Sequence, residues 1–143
     1  MRILVSGCLL GVCCRYDGAS KPHPGVLELA KRHELIPICP EQLGGLATPR
    51  PPAERQGSRI IARTGADVTE QYLRGAEEAL KLHRLLGCDA AVLKERSPSC
   101  GSGEIYDGTF SGTLIAGDGV TAGLLKTNGI SVYGESQIGE LLK

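Results

Sequence analysis

The sequence has no tryptophan, one phenylalanine, one methionine and an aromatic content of only 3%. Its core must therefore be packed from Leu, Ile, Val and Ala. An aromatic base-stacking platform of the kind used on single-stranded nucleic acid has little to draw on beyond four tyrosines. No charge of one sign predominates either. The 16 basic and 16 acidic side chains leave a formal net charge of zero, which argues against a polyanion-coating surface and disfavours RNA as substrate. No run of about 18 apolar residues is present to span a bilayer. The apolar start Met1–Val5 stops within a few residues at Gly7-Cys8, without the extended hydrophobic region and cleavage site of a secretory signal. These features predict a cytoplasmic protein that meets neither membrane nor nucleic acid. There is also no glycine-rich nucleotide fingerprint or phosphate loop, because Gly101-Ser102-Gly103 is too short for one.

Cysteine is what the chain does have, six residues in 143. That length fits one domain over residues 1–143, with enough buried surface to fold without disulfides. A cysteine framework of the secreted mini-domain type is not expected.

The short β-branched run Arg2–Ser6 predicts a strand, and Val26–His33 a helix. Leu35–Cys39 predicts a second strand, followed by a rigid, proline-rich loop over 39–52. Ser58–Ala62 reads as a short strand. Val68–Leu86 is a helix with Thr69 as N-cap and Gly87 as its stop. Asp89–Lys94 is a third sheet strand, residues 104–114 a hairpin or irregular excursion, Gly119–Thr127 a helix and Ile130–Tyr133 a fourth strand. Ser136–Leu142 closes the chain as a Ser-capped helix. Strands alternating with helices imply an α/β fold: a single-domain, doubly wound, mostly parallel sheet, Rossmann-like or flavodoxin-like, in three layers. Ligands in such sheets bind beyond the carboxyl ends of strands where the strand order reverses.

Cys8 follows the first strand, Cys39 ends the second and Cys100 lies in the loop after the third. All three belong to the same sheet edge. Thiolates are soft ligands suited to iron–sulfur clusters, zinc or copper(I). Three ligands rather than four would leave a metal position open for substrate, by the logic that separates catalytic from structural sites. Cys88 reads as core packing. Cys13 and Cys14 cannot both face a site if that segment is extended. Glu41, two residues after Cys39 on a proline-stiffened loop, is placed for proton transfer. Ser97 and Ser99 offer hydroxyl donors beside Cys100. Arg15 and Asp17 can hydrogen-bond a polar heterocycle or order the cysteine loops, and Arg50 can bind an anion or pair with a carboxylate. His23, His33 and His83 are expected at the surface.

Four motifs in matching order carry a more specific signal: Ser6-Gly7-Cys8-Leu9-Leu10-Gly11, Cys14-Arg15-Tyr16-Asp17-Gly18, Cys39-Pro40-Glu41 with Gly44-Gly45-Leu46 and Pro49-Arg50, and Leu93-Lys94 with Ser97-Pro98-Ser99-Cys100-Gly101. Together they resemble the bacterial TudS-like family of thiouracil desulfidases across nearly the whole chain. One departure is Gly7, where alanine is expected. The resemblance implies a 4Fe–4S cluster held by Cys8, Cys39 and Cys100, and non-redox removal of sulfur from thiolated uracil. It also implies catalytic roles for Glu41 and for Ser97, with Ser99 the competing serine, and leaves the role of Cys14 open. The substrate is expected to be a small thiolated nucleobase or nucleotide. The alternative from another class is a non-catalytic metal-binding or redox-thiol module.

Overall fold

Residues Ile3, Leu4 and Val5 have no solvent exposure, so the first strand is covered on both faces, as parallel sheets require. The structure, a computed structural model, describes residues 1–143. The chain runs through β1 (Arg2–Ser6), α1 (Pro24–Leu29), β2 (Glu34–Ile38), α2 (Pro40–Leu43), β3 (Ala53–Gln56), β4 (Arg59–Ala62) and α3 (Thr69–Leu85). It continues through β5 (Ala90–Leu93), β6 (Glu104–Tyr106), β7 (Leu114–Ala116), α4 (Val120–Thr127) and β8 (Val132–Gly134). Four of these strands form one parallel sheet in the order β2-β1-β5-β8.

The period of two along β1 divides the core. Ile3 and Val5 pack with Val26, Leu29, Ile138 and Leu141 on one face. Leu4 packs with Ala79, Ala122 and Leu125 from α3 and α4 on the other. The expected three-layer α/β architecture is the one observed. The sheet order reverses at β1, which has β2 on one side and β5 on the other. Two antiparallel hairpins, β3–β4 and β6–β7, stand apart from this sheet.

Several boundaries differ from expectation, each for a local reason. Helix α1 starts earlier, at Pro24, because His23 Nδ1 accepts the Val26 N–H at 3.3 Å and caps it. Val68, not Thr69, is the N-cap residue of α3; the Asp67 carboxylate receives the Thr69 N–H at 3.0 Å. Gly87 ends that helix as expected, with φ +63°. Within the expected loop after Cys39, Pro40 opens the single-turn helix α2, and β3 adds a strand with no forerunner in the pattern. The closing segment is two 3-10 turns, Glu135–Gln137 and Gly139–Leu142, rather than one helix. His83 is buried, not at the surface, because it lies on the inward side of α3.

The contact that fixes α2 is made by two glycines. A Cβ on Gly44 would lie 1.9 Å from the Gln71 carbonyl oxygen of α3, and one on Gly75 of α3 would lie 1.9 Å from the Pro40 carbonyl oxygen. Backbone meets backbone there, and Cys39 and Glu41 are held at a set height over the sheet edge.

Candidate active site

Beyond the carboxyl ends of β1, β2 and β5 lies a cavity of about 590 Å³, at the point where the sheet order reverses. Cys8, Cys14, Cys39 and Cys100 all line it. Cys8 sits in the 3-10 turn Gly7–Leu10 that follows β1 directly. A Cβ on Gly7 would come no closer than 3.4 Å to any neighbour, so the glycine found in place of alanine leaves the turn unchanged. Cys39 is the N-cap residue of α2. Its Sγ is 3.5 Å from the Cys14 carbonyl oxygen and 4.0 Å from Glu41 Oε1. Cys100 is held by Ser97, whose Oγ accepts the N–H groups of Ser99 and Cys100, each at 3.1 Å.

All six cysteines are free thiols. Hydrogen bonding with Cys14, burial and the nearby Glu41 push Cys39 well above the ordinary thiol range. Burial, with Glu41 second, does the same to Cys100. Cys14 is lowered by its bond with Cys39, but its bond with Cys8 and burial outweigh this and leave it at about 11. A metal group must therefore displace protons to bind here. No three His, Cys, Asp or Glu side chains converge closely enough for one metal ion. Four thiols on one cavity are soft donors of the kind that hold an iron–sulfur cluster. Cys13 is exposed, and Cys88 packs against the core face that contains Leu4, as expected.

Glu41 is mostly buried, its side chain 14% exposed, and faces the Arg50 guanidinium at 3.5 Å. Burial raises its carboxyl pKa, and Arg50 offsets only part of the rise. Arg50 also donates to the Cys14 carbonyl at 3.0 Å and to Thr48 Oγ1 at 3.0 Å, so it joins the acid to the Cys14 loop. Of the two meanings open to Arg50, the carboxylate partner is the one realised. Tyr72 of α3 lines the cavity beside this pair; burial first, then Glu41, pushes its phenol upward.

The serines separate clearly. Ser97 lines the cavity, and with its oxygen already accepting two backbone N–H groups its own proton is free to be donated. Ser99 is fully buried outside the cavity, with its hydroxyl 2.7 Å from Thr121 Oγ1. The Cys100 thiol lies 3.9 Å from the same hydroxyl, so Ser99 supports the Cys100 loop. Arg15 lines the cavity, but Asp17 does not. Asp17 is exposed and accepts the Ala19 N–H at 2.9 Å, a turn-forming bond.

Two features were not visible in sequence. Four of the five aromatic rings, Tyr16, Tyr72, Tyr106 and Phe110, converge on this one cavity, so the scarcity of aromatics did not exclude a stacking surface. Six basic side chains line it, Arg15, Lys21, Arg50, Arg63, Lys94 and Arg96, against three glutamates. The pocket is locally cationic although the whole chain is neutral. Rarity of the rings was the only available signal.

Residues 3–137 match the family model described as 2-thiouracil desulfurase. The chain is 44% identical over 150 residues to "Uncharacterized protein YbbK" of Bacillus subtilis (strain 168), covering 98% of this chain and 99% of that protein. It is also similar to the solved structure of a [4Fe-4S]-dependent thiouracil desulfidase, TudS, with 50% identity and a TM-score of 0.92 over 98% of this chain and 94% of the other.

Proposed function

Because this chain belongs to the 2-thiouracil desulfurase family, we propose that it hydrolyses the thiocarbonyl of thiolated uracil with a 4Fe–4S cluster held by Cys8, Cys39 and Cys100. The observation that carries the reading is the placement of those three thiols on one cavity with Glu41. The overall change is thiocarbonyl plus water to carbonyl plus hydrogen sulfide, with no net electron transfer. Held by the thiolates of Cys8, Cys39 and Cys100, such a cluster would supply Lewis-acid chemistry towards the sulfur.

The chain's own residues do the rest. Glu41, ionised, takes a proton from the water that attacks the carbon and passes it to the departing sulfur; the remaining hydroxyl proton follows as the carbonyl forms, so that sulfur leaves as hydrogen sulfide. Arg50 fixes the orientation of that carboxylate. Ser97 donates its free proton to the polar edge of the base and stabilises the charge that develops there. Arg15, Lys21 and Arg96 give the mouth a positive field, which supports a substrate carrying an anionic group, such as a thiolated nucleotide, beside the free base. Residues 1–143 act as one desulfidase unit. The free thiols support a reducing compartment, the cytoplasm. No helix is long and apolar enough to cross a membrane.

Anaerobic iron–sulfur reconstitution followed by sulfide release from 2- and 4-thiouracil tests this. Wild type is expected to hold about four irons and release sulfide. Cys100→Ala is expected to lose the iron, Cys14→Ala to keep it, and Glu41→Gln to keep it without turnover. A reconstituted protein that releases no sulfide from any thiopyrimidine overturns the reading.

A further inference from the structure

Phe110 is the one phenylalanine of the chain, and it belongs to neither face of the hydrophobic core. It sits in the loop joining β6 to β7, among polar neighbours bonded to one another. The Thr109 and Ser111 hydroxyls lie 2.6 Å apart, and those of Ser111 and Thr113 2.9 Å apart. This large apolar ring lies outside the core and lines the cavity.

Its position is built. Glu54 of β3 accepts the N–H groups of both Gly108 and Phe110 on a single carboxylate oxygen, each at 3.0 Å. Gln56 donates to the Gly108 carbonyl at 2.9 Å. Gly108, at φ +95°, presses so closely on β3 that an added Cβ would lie 2.7 Å from Gln56 Cγ and 2.9 Å from the Arg55 carbonyl oxygen. These bonds hold Phe110 at φ +57°, a left-handed conformation that a bulky residue adopts only under such constraint. The Arg63 guanidinium stands 5.3 Å from the ring centroid and also lines the cavity, a cation–π pair that orients the ring.

We propose that Phe110 is a specificity-determining residue whose ring stacks on the flat pyrimidine of the substrate, and that Glu54 is the positioning residue that seats it. The proposal rests on the desulfidase reading above. Hydrogen bonds from Ser97 and Glu41 address the edge and the reacting carbon of a thiolated base, but leave its faces uncovered. A fixed aromatic ring covers one face and prefers a planar ring to a puckered one.

The test compares wild type, Phe110→Ala, Phe110→Tyr, Glu54→Ala and Glu54→Gln after anaerobic reconstitution. Iron content and melting temperature are checked first. KM and kcat are then measured for 2-thiouracil and for its non-planar 5,6-dihydro analogue, and uracil affinity is measured by calorimetry. Phe110→Ala is expected to raise KM for 2-thiouracil and to weaken uracil binding, each about tenfold. Its kcat is expected to stay near wild type and its KM for the dihydro analogue to be unchanged. Phe110→Tyr restores binding. Glu54→Ala reproduces the KM effect and Glu54→Gln, which keeps the acceptor oxygen, rescues it. Equal losses on the flat and the puckered substrate, or no change in uracil affinity, would overturn the proposal. A protein that binds uracil in a Phe110-dependent way but releases no sulfide would instead sink the desulfidase reading and leave the stacking role standing.

Discussion

Replacing Gly75 with alanine puts a methyl group 1.9 Å from the Pro40 carbonyl oxygen. Ordinary contact begins at 3.4 Å, so α2 and α3 must separate by about 1.5 Å unless the backbone deforms. Neither side can yield through a flexible side chain, because the methyl is fixed rigidly to its Cα and the Pro40 oxygen belongs to main chain. Overpacking of this kind costs about 1–3 kcal/mol, a fall of roughly 3–10 °C in melting temperature for a chain of this size. The functional effect is larger. The helix that must move begins at Cys39 and carries Glu41, and misplacement by about 1 Å can lower a rate roughly 100-fold. Gly75→Ala is therefore expected to fold, to load iron incompletely and to lose most sulfide release. Gly123→Ala is the matched control. Its nearest neighbour would be Asp118 Cβ at 3.7 Å, and a glycine removed from α4 is expected to stabilise by about 0.5–1 kcal/mol. Calorimetry, iron assay and sulfide release on both variants decide the matter. A Gly75→Ala protein with wild-type melting temperature and turnover would refute the claim that this backbone contact positions the site.

His83 and Ser97 give two more tests. His83 is buried with Nε2 unpartnered. Burial lowers its pKa, Asp89 works against the shift and Arg84 with it. The unfolded chain, with histidine near pH 6.5, takes up the proton first as pH falls, so stability present above that value is lost progressively below it. Denaturant titrations at several pH values should show His83→Phe losing less stability on acidification than wild type; parallel curves would refute this. Ser97→Ala removes the acceptor for two N–H groups and the donor into the cavity. It is expected to lower kcat about 100-fold with iron retained, while Ser99→Ala changes kcat by less than about threefold. The reverse ranking, from sulfide-release kinetics, would exclude the assignment of the donor to Ser97.

The parallel sheet was legible in sequence because its signals are periodic. Arg2–Ser6 and Ala90–Leu93 read as short continuous apolar runs, the mark of strands covered on both faces, and α3 carries an apolar stripe ending at Gly87. Convergence of Cys8, Cys39 and Cys100 followed from topology, since parallel strands present the same end to the same edge. The irregular segments were harder. Helix α2 has only four residues, too few to show a period, and β3 is polar enough to pass for loop. His83 was misplaced because one polar residue on an amphipathic helix is normally solvated, whereas here it faces inward.

By itself the sequence determined the fold class and that Cys8, Cys39 and Cys100 come to one edge of the sheet. Both depend on residue type, periodicity and chain order. Only the tertiary structure set Ser97 on the cavity wall and Ser99 against Thr121, left Asp17 exposed, paired Glu41 with Arg50 and seated Phe110 at the cavity. In a loop without a repeating backbone, no period relates a residue's number to the direction of its side chain. That direction is decided by distant partners: Thr121 for Ser99, Arg50 for Glu41 and Glu54 for Phe110.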